Sequence, residues 1–402
     1  MTEGADGAPL ARARLLYDSV SRNTGDIAIG IAAAQVFSSL GVGTEIVDPF
    51  SPRDDGRFVV AGGELIRRAG DTFYDAYRPR GPHILNAAGV WTDADELDYL
   101  RDYEFVSARS ETEAEVLRTA VPSAIAVPCA TTLLESPRFE IPGLEPGEPV
   151  LGIHLVPHAL RLIEDLVPII NAIPMRKVFI PFTHYNADRS FMMTLPFDRS
   201  DAIVLDRLAP LELHSVIGQM HSVLVTSLHA TIFAYSQNVP FASIHQKKVD
   251  YYFRDRGLAD HLVRDGGGLQ RAAERLVAAE DDYRPLVDAD RARVLEAFGQ
   301  YARILGESIE PTDDPVRPAT GPLDAILLAQ AEYVIQDRDA ALAYSESRRI
   351  AIADERAGLL ARLERSEEEA RRYRNLPWRR AGRQVARAWR HWFPRGERAG
   401  LG

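Results

Sequence analysis

The chain has 402 residues, of which 46% are hydrophobic and 26% are charged, so it is long enough to form two domains with separate cores. Its net charge of −11 at pH 7 argues against a general nucleic-acid-binding protein. The single cysteine, Cys129, excludes an internal disulfide and a metal–thiolate cluster.

Positive charge is concentrated at the C-terminal end. Residues 371–402 hold ten Arg and one acidic residue, whereas the rest of the chain is strongly acidic. Three Trp and one Phe lie among the arginines of 378–393. This pattern predicts either an amphipathic helix on anionic lipid, or a basic segment that docks on the acidic body or is disordered. The first residues lack a secretory signal pattern, so we expect a cytoplasmic protein, with peripheral contact to the inner face of the cell membrane through 378–393 as an open alternative.

Strand-like and helix-like segments alternate over the first predicted domain, residues 10–134. Short apolar runs predict strands at 13–18, 44–48, 58–63, 83–89, 105–109 and 124–128. Helical spacing predicts helices at 27–41, 63–70, 93–100 and 110–120. This alternation is typical of a parallel sheet covered by helices.

A segment rich in Pro, Glu and Gly at 135–149 is predicted to be a linker, and the alternation resumes over a second domain, residues 150–309. Strands are predicted there at 150–155, 177–182, 202–206, 222–226 and 241–245, and helices at 158–171, 210–218, 230–236 and within 268–309. A second linker at 310–321 precedes a helical extension, 322–402, with its basic aromatic tail. The predicted fold class is therefore α/β, with two Rossmann-like doubly wound domains and a C-terminal helical extension. A ligand is expected between the two domains.

Residues 213–246 contain no Asp, Glu, Lys or Arg. Pro240 and the amide and imidazole side chains argue against a membrane span, so the stretch predicts a buried strand, a tight turn, a short helix and a second buried strand. His229 then lies at the start of a helix that follows a strand, where open α/β proteins bind anionic ligands. We expect His229 to be the main functional residue, with a neutral core histidine as the alternative. Lys247 and Lys248 follow the next strand at the same edge.

Other polar residues at predicted strand ends are candidates, each with a structural alternative. Asn23 and Asp26 follow the first strand in a turn that also suits a helix cap. The pair Gly62 and Gly63 permits either close approach of a ligand or only a tight turn. Arg109 ends a strand, where it either binds an anion or forms a salt bridge.

Histidines elsewhere carry weaker signals. His184 and Asp188 follow the strand at 177–182, and we expect them to support the site. No HxH or HxxxH spacing occurs near them, so no metal site is predicted. The other histidines of the uncharged stretch are expected to be structural: His214, His221 and His245.

In their order, these motifs resemble the polysaccharide pyruvyltransferase family over roughly residues 13–265. The resemblance is carried by NTGD (23–26), VVAGG (59–63), FVSARSETEAEVL (105–117), VPCA (127–130), FIPFTHYNAD (179–188), SLHATIFAYSQNVP (227–240) and KKVDYYFRDRGL (247–258). The last two segments are the most specific, because a helix-starting Leu-His, a later Val-Pro and a Lys before an aromatic helix recur in the family's order.

The resemblance implies a glycosyltransferase-B-like pair of domains. It also implies transfer of a pyruvyl group from phosphoenolpyruvate to a sugar diol of a cell-surface polysaccharide or its lipid-linked precursor, forming a ketal without a cofactor or metal. His229 is then the acid/base or a phosphate ligand. The donor would contact Arg109, Ser227, Lys247 and Lys248. The acceptor-side or supporting residues would be Asn23, Asp26, Gly62, Gly63, His184 and Asp188.

Two positions depart from the family pattern. The chain has Ser227 where the family usually has Arg, and Cys129 where the family commonly has Asp. A neutral hydroxyl binds an anion more weakly than a guanidinium does, so another cation is expected at the donor site. The candidates are Arg109, Arg189, Lys247 and Lys248.

Two other functions remain open from the sequence. A nucleotide-sugar glycosyltransferase would use the same two-domain scaffold. A non-catalytic assembly protein of polysaccharide synthesis would be consistent with Ser227 in place of Arg. Stabilisation by a nucleotide would indicate the first function, and stabilisation by neither donor would indicate the second.

Overall fold

The computed structural model describes residues 12–19, 23–50, 56–182, 188–206, 208–306, 362 and 365–366. These residues form two six-stranded sheets in which every strand pair is parallel. Helices fill most of the connections between strands. The predicted α/β class with two Rossmann-like domains is confirmed.

The first sheet belongs to the N-terminal lobe, residues 12–134 as described. Its strands are β1 (Arg12–Leu16), β2 (Gly43–Ile46), β3 (Val59–Ala61), β4 (Ile84–Ala88), β5 (Phe105–Ala108) and β6 (Ile125–Ala126). The helices are α1 (Thr24–Ser39), α2 (Thr72–Asp75) and α3 (Glu111–Arg118), with 3₁₀ helices at Leu97–Asp102 and Ala130–Leu133. The strand order is β2-β1-β3-β4-β5-β6, so the direction of winding reverses between β1 and β3.

The second sheet belongs to the C-terminal lobe, residues 150–306 as described. Its strands are β7 (Val150–Ile153), β8 (Arg176–Phe179), β9 (Ile203–Val204), β10 (Ser222–Val225), β11 (Phe241–Ile244) and β12 (Leu262–Val263). The helices are α4 (Ala159–Leu162), α5 (Leu166–Ala172), α6 (Asp188–Thr194), α7 (Pro210–Gly218), α8 (Leu228–Ser236), α9 (Lys247–Arg254), α10 (Gly266–Ala278) and α11 (Arg284–Gly306), with a 3₁₀ helix at Ala259–His261. The order β12-β11-β10-β7-β8-β9 reverses between β7 and β10.

The helix predicted at 63–70 is wrong. Gly62 and Gly63 adopt φ of 59° and 80°, a left-handed conformation that ends the strand without starting a helix. Ile66 then pairs in parallel with Val90 in an isolated bridge. Extended pairing therefore replaces helical hydrogen bonding in this segment and leads directly into the candidate site.

Two other predicted helices differ from the observed elements. Glu96 has a left-handed φ of 51°, so the helix predicted at 93–100 is instead a 3₁₀ helix at Leu97–Asp102. The helix predicted at 158–171 is split into α4 and α5. Pro168 lies in the first turn of α5, where its missing N–H and its ring are tolerated, and a continuous helix would place it in the interior.

The uncharged stretch lies at the junction of the lobes. All nine residues of α8 are buried, which is the environment expected for a helix that is apolar on all sides. Helix α1 contacts α7 and α8, and one hydrophobic cluster contains residues of both lobes. The two lobes therefore share a continuous apolar core, and the N-terminal ends of α1 and α8 are held at the same junction.

Helix α11 contacts both the N-terminal lobe and the rest of the C-terminal lobe. On the N-terminal lobe, the hydroxyl of Tyr301 donates a hydrogen bond to Oδ1 of Asn86 at 3.2 Å. On the C-terminal lobe, Asp290 accepts a hydrogen bond from Nε of Arg256 at 2.6 Å. This helix therefore restrains the separation of the two lobes behind the site.

The chain divides into two compact units, Met1–Asp337 and Arg338–Gly402, and both sheets belong to the first. Most of the predicted extension at 322–402, including the tail at 378–393, lies outside the described residues. Among the residues that the structure does describe, no helix is long and apolar enough to cross a membrane.

The Arg256–Asp290 pair gives a stability prediction. Both side chains are at least nine-tenths buried, so Arg256→Met leaves a buried carboxylate with only the more distant and half-exposed Arg293, at 3.9 Å. We expect the free energy of unfolding to fall by about 3–5 kcal/mol in urea titrations. Arg284→Met is the matched control, because Arg284 pairs with Asp282 at the surface and its loss should leave stability unchanged. Equal losses of unfolding free energy in the two variants would contradict a stabilising role for the buried Arg256–Asp290 pair.

Candidate active site

Both points of strand-order reversal open on one cavity of about 380 Å³ between the lobes. In open parallel sheets, ligands bind beyond the carboxyl ends of the strands where the winding direction changes. The cavity is lined by residues that follow the strands on either side of both reversals, β1, β3, β7 and β10: Asp18, Asp26, Glu64, His154, Ser227 and His229. The two sheets therefore contribute equivalent edges to a single site.

Three helices begin at the wall of this cavity. Asn23, Ser227 and Gln246 are the N-cap residues of α1, α8 and α9, and all three line it. The side chains of Ser227 and Gln246 make no capping hydrogen bond. Uncapped first-turn N–H groups and the positive end of the helix dipole favour a bound anion, so this wall suits a phosphate or carboxylate.

Arg109 supplies a fixed cation from the end of β5. Its guanidinium donates to the Glu113 carboxylate from Nε at 3.0 Å and from Nη2 at 2.9 Å, and its side chain is 3% exposed. Gly89 packs against it, since a Cβ there would come within 2.5 Å of Cζ of Arg109. The neighbouring glycine and the bidentate pair hold the guanidinium in one orientation at the cavity wall.

Glu64 and Lys248 form an ion pair between the lobes. The Lys248 ammonium, in the first turn of α9, lies 3.2 Å from Oε2 of Glu64, which follows the Gly62–Gly63 turn. The other oxygen of Glu64 lies 3.8 Å from Nη2 of Arg109. Although burial alone would raise the pKa of Glu64, the Lys248 and Arg109 charges hold it below its usual value. Glu64 therefore neutralises Lys248 and adds to the negative charge that Glu113 places beside Arg109.

Asp26 has the opposite behaviour. It lies in the first turn of α1, its Oδ2 accepts a hydrogen bond from Nδ2 of Asn23 at 2.5 Å, and it is 7% exposed. Burial, reinforced by the Asp18 carboxylate, raises the pKa of Asp26 from 3.8 to about 7, against the opposing charges of Lys248 and Arg109. Asp26 can therefore carry a proton near neutral pH.

The imidazole of His229 lies between a glycine and a thiol. A Cβ on Gly25 would come within 2.0 Å of Nδ1, and Nε2 lies 3.8 Å from Sγ of Cys129. Burial, together with the charges of Arg109 and Lys248, lowers the pKa of His229 well below its usual range. His229 is thus an uncharged ring at neutral pH, able to accept a proton or donate a neutral hydrogen bond. It lines the cavity, as does Ser227 at the same helix start.

His154 is held beside the cavity by Asp188. Its Nδ1 accepts from the backbone N–H of Thr226 at 3.4 Å, so Nε2 carries the proton and donates to Oδ2 of Asp188 at 3.0 Å. That oxygen also accepts from the N–H of Phe182 at 2.6 Å. The pair fixes the ring's orientation at the end of β7. Within the part of the chain that the structure describes, no group of three or more His, Cys, Asp or Glu side chains could hold a metal ion.

The structure separates the four cations suggested by the sequence. Arg109 and Lys248 line the cavity. Lys247, one residue before Lys248, is exposed and lines a different cavity. Arg189 pairs with Asp206 at 3.1 Å and is not part of the cavity wall.

The remaining predicted site residues lie near the cavity rather than in its wall. Gly62 and Gly63 form the turn before Glu64, and a Cβ on Gly63 would come within 3.2 Å of Oδ1 of Asp26. Asp188 acts through His154. His184 lies outside the described residues. The histidines predicted to be structural line neither this cavity nor the one beside Lys247: His214, His221 and His245.

Sequence reasoning missed several residues of the cavity wall. They are Asp18, Glu64, Arg67, Tyr74, His154 and Gln246. Glu64 and His154 directly follow a strand end, the same signal that identified His229. The predicted helix at 63–70 places Glu64 inside a helix, and the predicted strand at 150–155 places His154 inside a strand. Neither prediction therefore puts the residue at a strand end.

Comparison with known proteins identifies a family and a fold. The family described as polysaccharide pyruvyl transferase matches residues 23–245. No curated protein sequence matches the chain. Among solved structures, a putative UDP-N-acetylglucosamine 2-epimerase from Listeria monocytogenes is 12% identical, with a TM-score of 0.51, over 77% of this chain and 100% of that one. The S. aureus MnaA–UDP co-structure is 11% identical, with a TM-score of 0.49, over 76% and 100%. The similarity to the Listeria monocytogenes structure supports the two-lobed fold.

The raised pKa of Asp26 predicts how stability depends on pH. Folded Asp26 keeps a proton that the unfolded chain loses above the ordinary pKa of 3.8, so the contribution of Asp26 to wild-type stability falls as pH rises towards about 7. Asp26→Asn has no such titration. Its free energy of unfolding relative to wild type should therefore grow across this range by up to about 4 kcal/mol, at about 1.4 kcal/mol per unit. Urea titrations of both proteins at several pH values measure this difference, and parallel pH profiles would contradict it.

Proposed function

The chain belongs to the polysaccharide pyruvyl transferase family, and on that premise we propose that it transfers a pyruvyl group from phosphoenolpyruvate to two hydroxyls of one sugar, forming a cyclic ketal. The sugar is part of a cell-surface polysaccharide or its lipid-linked precursor. The observation that carries the proposal is the inter-lobe cavity, where three helix N-termini, three cationic side chains and a carboxyl with a pKa of about 7 meet.

Phosphoenolpyruvate carries a phosphate and a carboxylate, and the cavity offers two kinds of partner for them. The starts of α8 and α9 provide backbone N–H groups, and Arg109 and Lys248 provide charge. Glu64 pairs with Lys248 and lies 3.8 Å from Arg109, which also pairs with Glu113, so the donor anion must share these cations with the carboxylates or displace Glu64. In this proposal Lys248 and Arg109 do the work of the Arg that is absent at 227.

The reaction needs a proton donor for the methylene carbon of the enol phosphate. A general acid works best when its pKa lies near the operating pH. The pKa of Asp26, about 7, satisfies this condition, and the lowered pKa of His229 does not. We therefore assign the acid role to Asp26. Asn23 orients it through the hydrogen bond to Oδ2.

His229 is assigned to the acceptor hydroxyl. The carbon that bears the phosphate becomes cationic once the methylene is protonated, and a sugar oxygen attacks it. As the C–O bond forms, that hydroxyl proton becomes acidic enough to pass to an uncharged imidazole. Contact with Gly25 and Cys129 holds the ring in position.

Atoms and protons balance in this scheme. Asp26 gives one proton to the methylene, which becomes the methyl group of the ketal. The first hydroxyl loses its proton to His229, from which Asp26 is reprotonated. The second hydroxyl forms the second C–O bond as the C–O bond to phosphate breaks, and its proton leaves with inorganic phosphate. No cofactor takes part in these steps.

A donor-binding experiment tests the proposal at the cavity wall. Phosphoenolpyruvate should raise the melting temperature of the full-length protein, whereas UDP-N-acetylglucosamine should not. Lys248→Met removes a charged partner worth about 1.5–3 kcal/mol, so the Kd for phosphoenolpyruvate should rise roughly ten- to a hundredfold.

Lys247→Met is the matched control for that experiment. It removes the same charge from the adjacent residue, which is exposed and outside the donor cavity, so it should leave the phosphoenolpyruvate shift intact. Stabilisation by UDP-N-acetylglucosamine alone would indicate a nucleotide-sugar enzyme instead. Stabilisation by neither ligand would overturn the donor assignment.

The acid assignment predicts a pH profile. Because Asp26 must be protonated, kcat/KM for phosphoenolpyruvate should be constant below its pKa of about 7 and fall about tenfold per pH unit above it. Asp26→Asn should lower kcat by about 10²–10⁴-fold and abolish this fall. His229→Ala should also lose transfer while phosphoenolpyruvate still raises its melting temperature. A wild-type profile in Asp26→Asn, or a wild-type rate in His229→Ala, would remove the corresponding role.

A further inference from the structure

A second cavity of about 320 Å³ lies beside the donor cavity. Its walls come from both lobes: Val90, Trp91 and Thr92 follow β4 in the N-terminal lobe, while Lys247 and Tyr251 belong to α9 in the C-terminal lobe. Its volume is within the range of pockets that hold small ligands. None of these five residues lines the donor cavity.

Two aromatic side chains line this second cavity from opposite lobes. Trp91 is 41% exposed, a large fraction for so large an aromatic side chain in a folded domain. One contact of its ring is the Arg67 guanidinium, whose Cζ lies 4.0 Å from the ring centroid. Arg67 also lies 4.1 Å from the ring centroid of Tyr74, so the Trp91 side chain is supported from the donor side while it remains open to the second cavity.

The two cavities share part of their walls. Glu64, Gln246 and Lys248 line both. The backbone ties this shared wall to the aromatic one, because Trp91 N–H donates to the Ile66 carbonyl at 2.9 Å, two residues from Glu64. A ligand in the second cavity would therefore meet a ligand in the first at three side chains, of which Glu64 is tied to Trp91 through the backbone.

We propose that the second cavity is the acceptor subsite, and that it takes a pyranose ring of the saccharide against Trp91 and Tyr251, with two of its hydroxyls at the shared wall. This assignment rests on the proposed function. The C–H face of a pyranose is apolar and suits the negative face of an aromatic ring, while its hydroxyl edge suits carboxylate, amide and ammonium groups. The two aromatic rings and the polar groups of Glu64, Gln246 and Lys248 provide both kinds of partner.

Trp91 is itself a reporter for this proposal. The chain has four tryptophans, and the other three lie at 378, 389 and 392. A full-length variant with Trp378→Phe, Trp389→Phe and Trp392→Phe leaves Trp91 as the only tryptophan. We expect at least one of the methyl pyranosides of glucose, galactose, mannose or N-acetylglucosamine to change its fluorescence saturably below about 100 mM, where even a site with a Kd near 10 mM is mostly occupied.

Two further variants in the same background locate the binding site. Tyr251→Ala should weaken glycoside binding about tenfold or more, as expected for truncation of an aromatic anchor. Leu40→Ala, which truncates an exposed apolar side chain that lines neither cavity, should leave the affinity unchanged. The absence of any saturable change with all four glycosides, or equal affinities in the Tyr251→Ala and parent proteins, would overturn the subsite.

Phosphoenolpyruvate separates failure of the subsite from failure of the proposed function. The phosphoenolpyruvate melting shift should be the same in Tyr251→Ala and the parent, because Tyr251 does not line the donor cavity. If that shift is present and no glycoside binds, the subsite is wrong and the pyruvyl transfer proposal stands. If a glycoside binds at Trp91 and phosphoenolpyruvate does not bind, the sugar site stands and the donor assignment fails.

Discussion

The parallel direction of every paired strand is the constraint on which the site depends. Parallel strands end at the same edge of a sheet, and each following helix begins there with its unpaired N–H groups. In this chain the two sheets share an apolar junction through α1 and α8, so their reversal points open on one cavity. The anion-binding character of the site is thus a property of the backbone before any side chain is considered.

Neighbouring charges and burial then shift the pKa values of two side chains in this cavity in opposite directions. Asp26, close to Asp18 and buried, has its pKa raised to about 7, whereas His229, buried near Arg109 and Lys248, has its pKa lowered. At neutral pH the imidazole is therefore uncharged and a substantial fraction of the Asp26 carboxyl is protonated. A protonated carboxyl and an unprotonated imidazole are the two states that acid and base steps require at their outset.

The charges around the cavity explain how the site can have Ser227 where the family usually has Arg. A guanidinium at the start of α8 would add a fourth cation to Arg67, Arg109 and Lys248, which already pair with Glu64. In the proposed donor site the charge comes instead from Arg109 after β5 and from Lys248 in α9, one in each lobe. Because the two cations belong to different lobes, binding of an anion between them also couples the lobes electrostatically.

The sequence alone identified most elements, the α/β class and the strand-end positions of Asp26, Arg109, His229 and Lys248, because strand and helix periodicity are local properties. It also identified 213–246 as interior from its lack of charge. Only the tertiary structure decided that Lys248 rather than Lys247 enters the donor cavity, that Glu64 pairs with both cations, and that His154 is fixed by Asp188. Those outcomes depend on strand order, on φ at Gly62 and Gly63, and on which face of α9 meets the opposite lobe. Each is set by contacts between residues far apart in the chain, which no local pattern specifies.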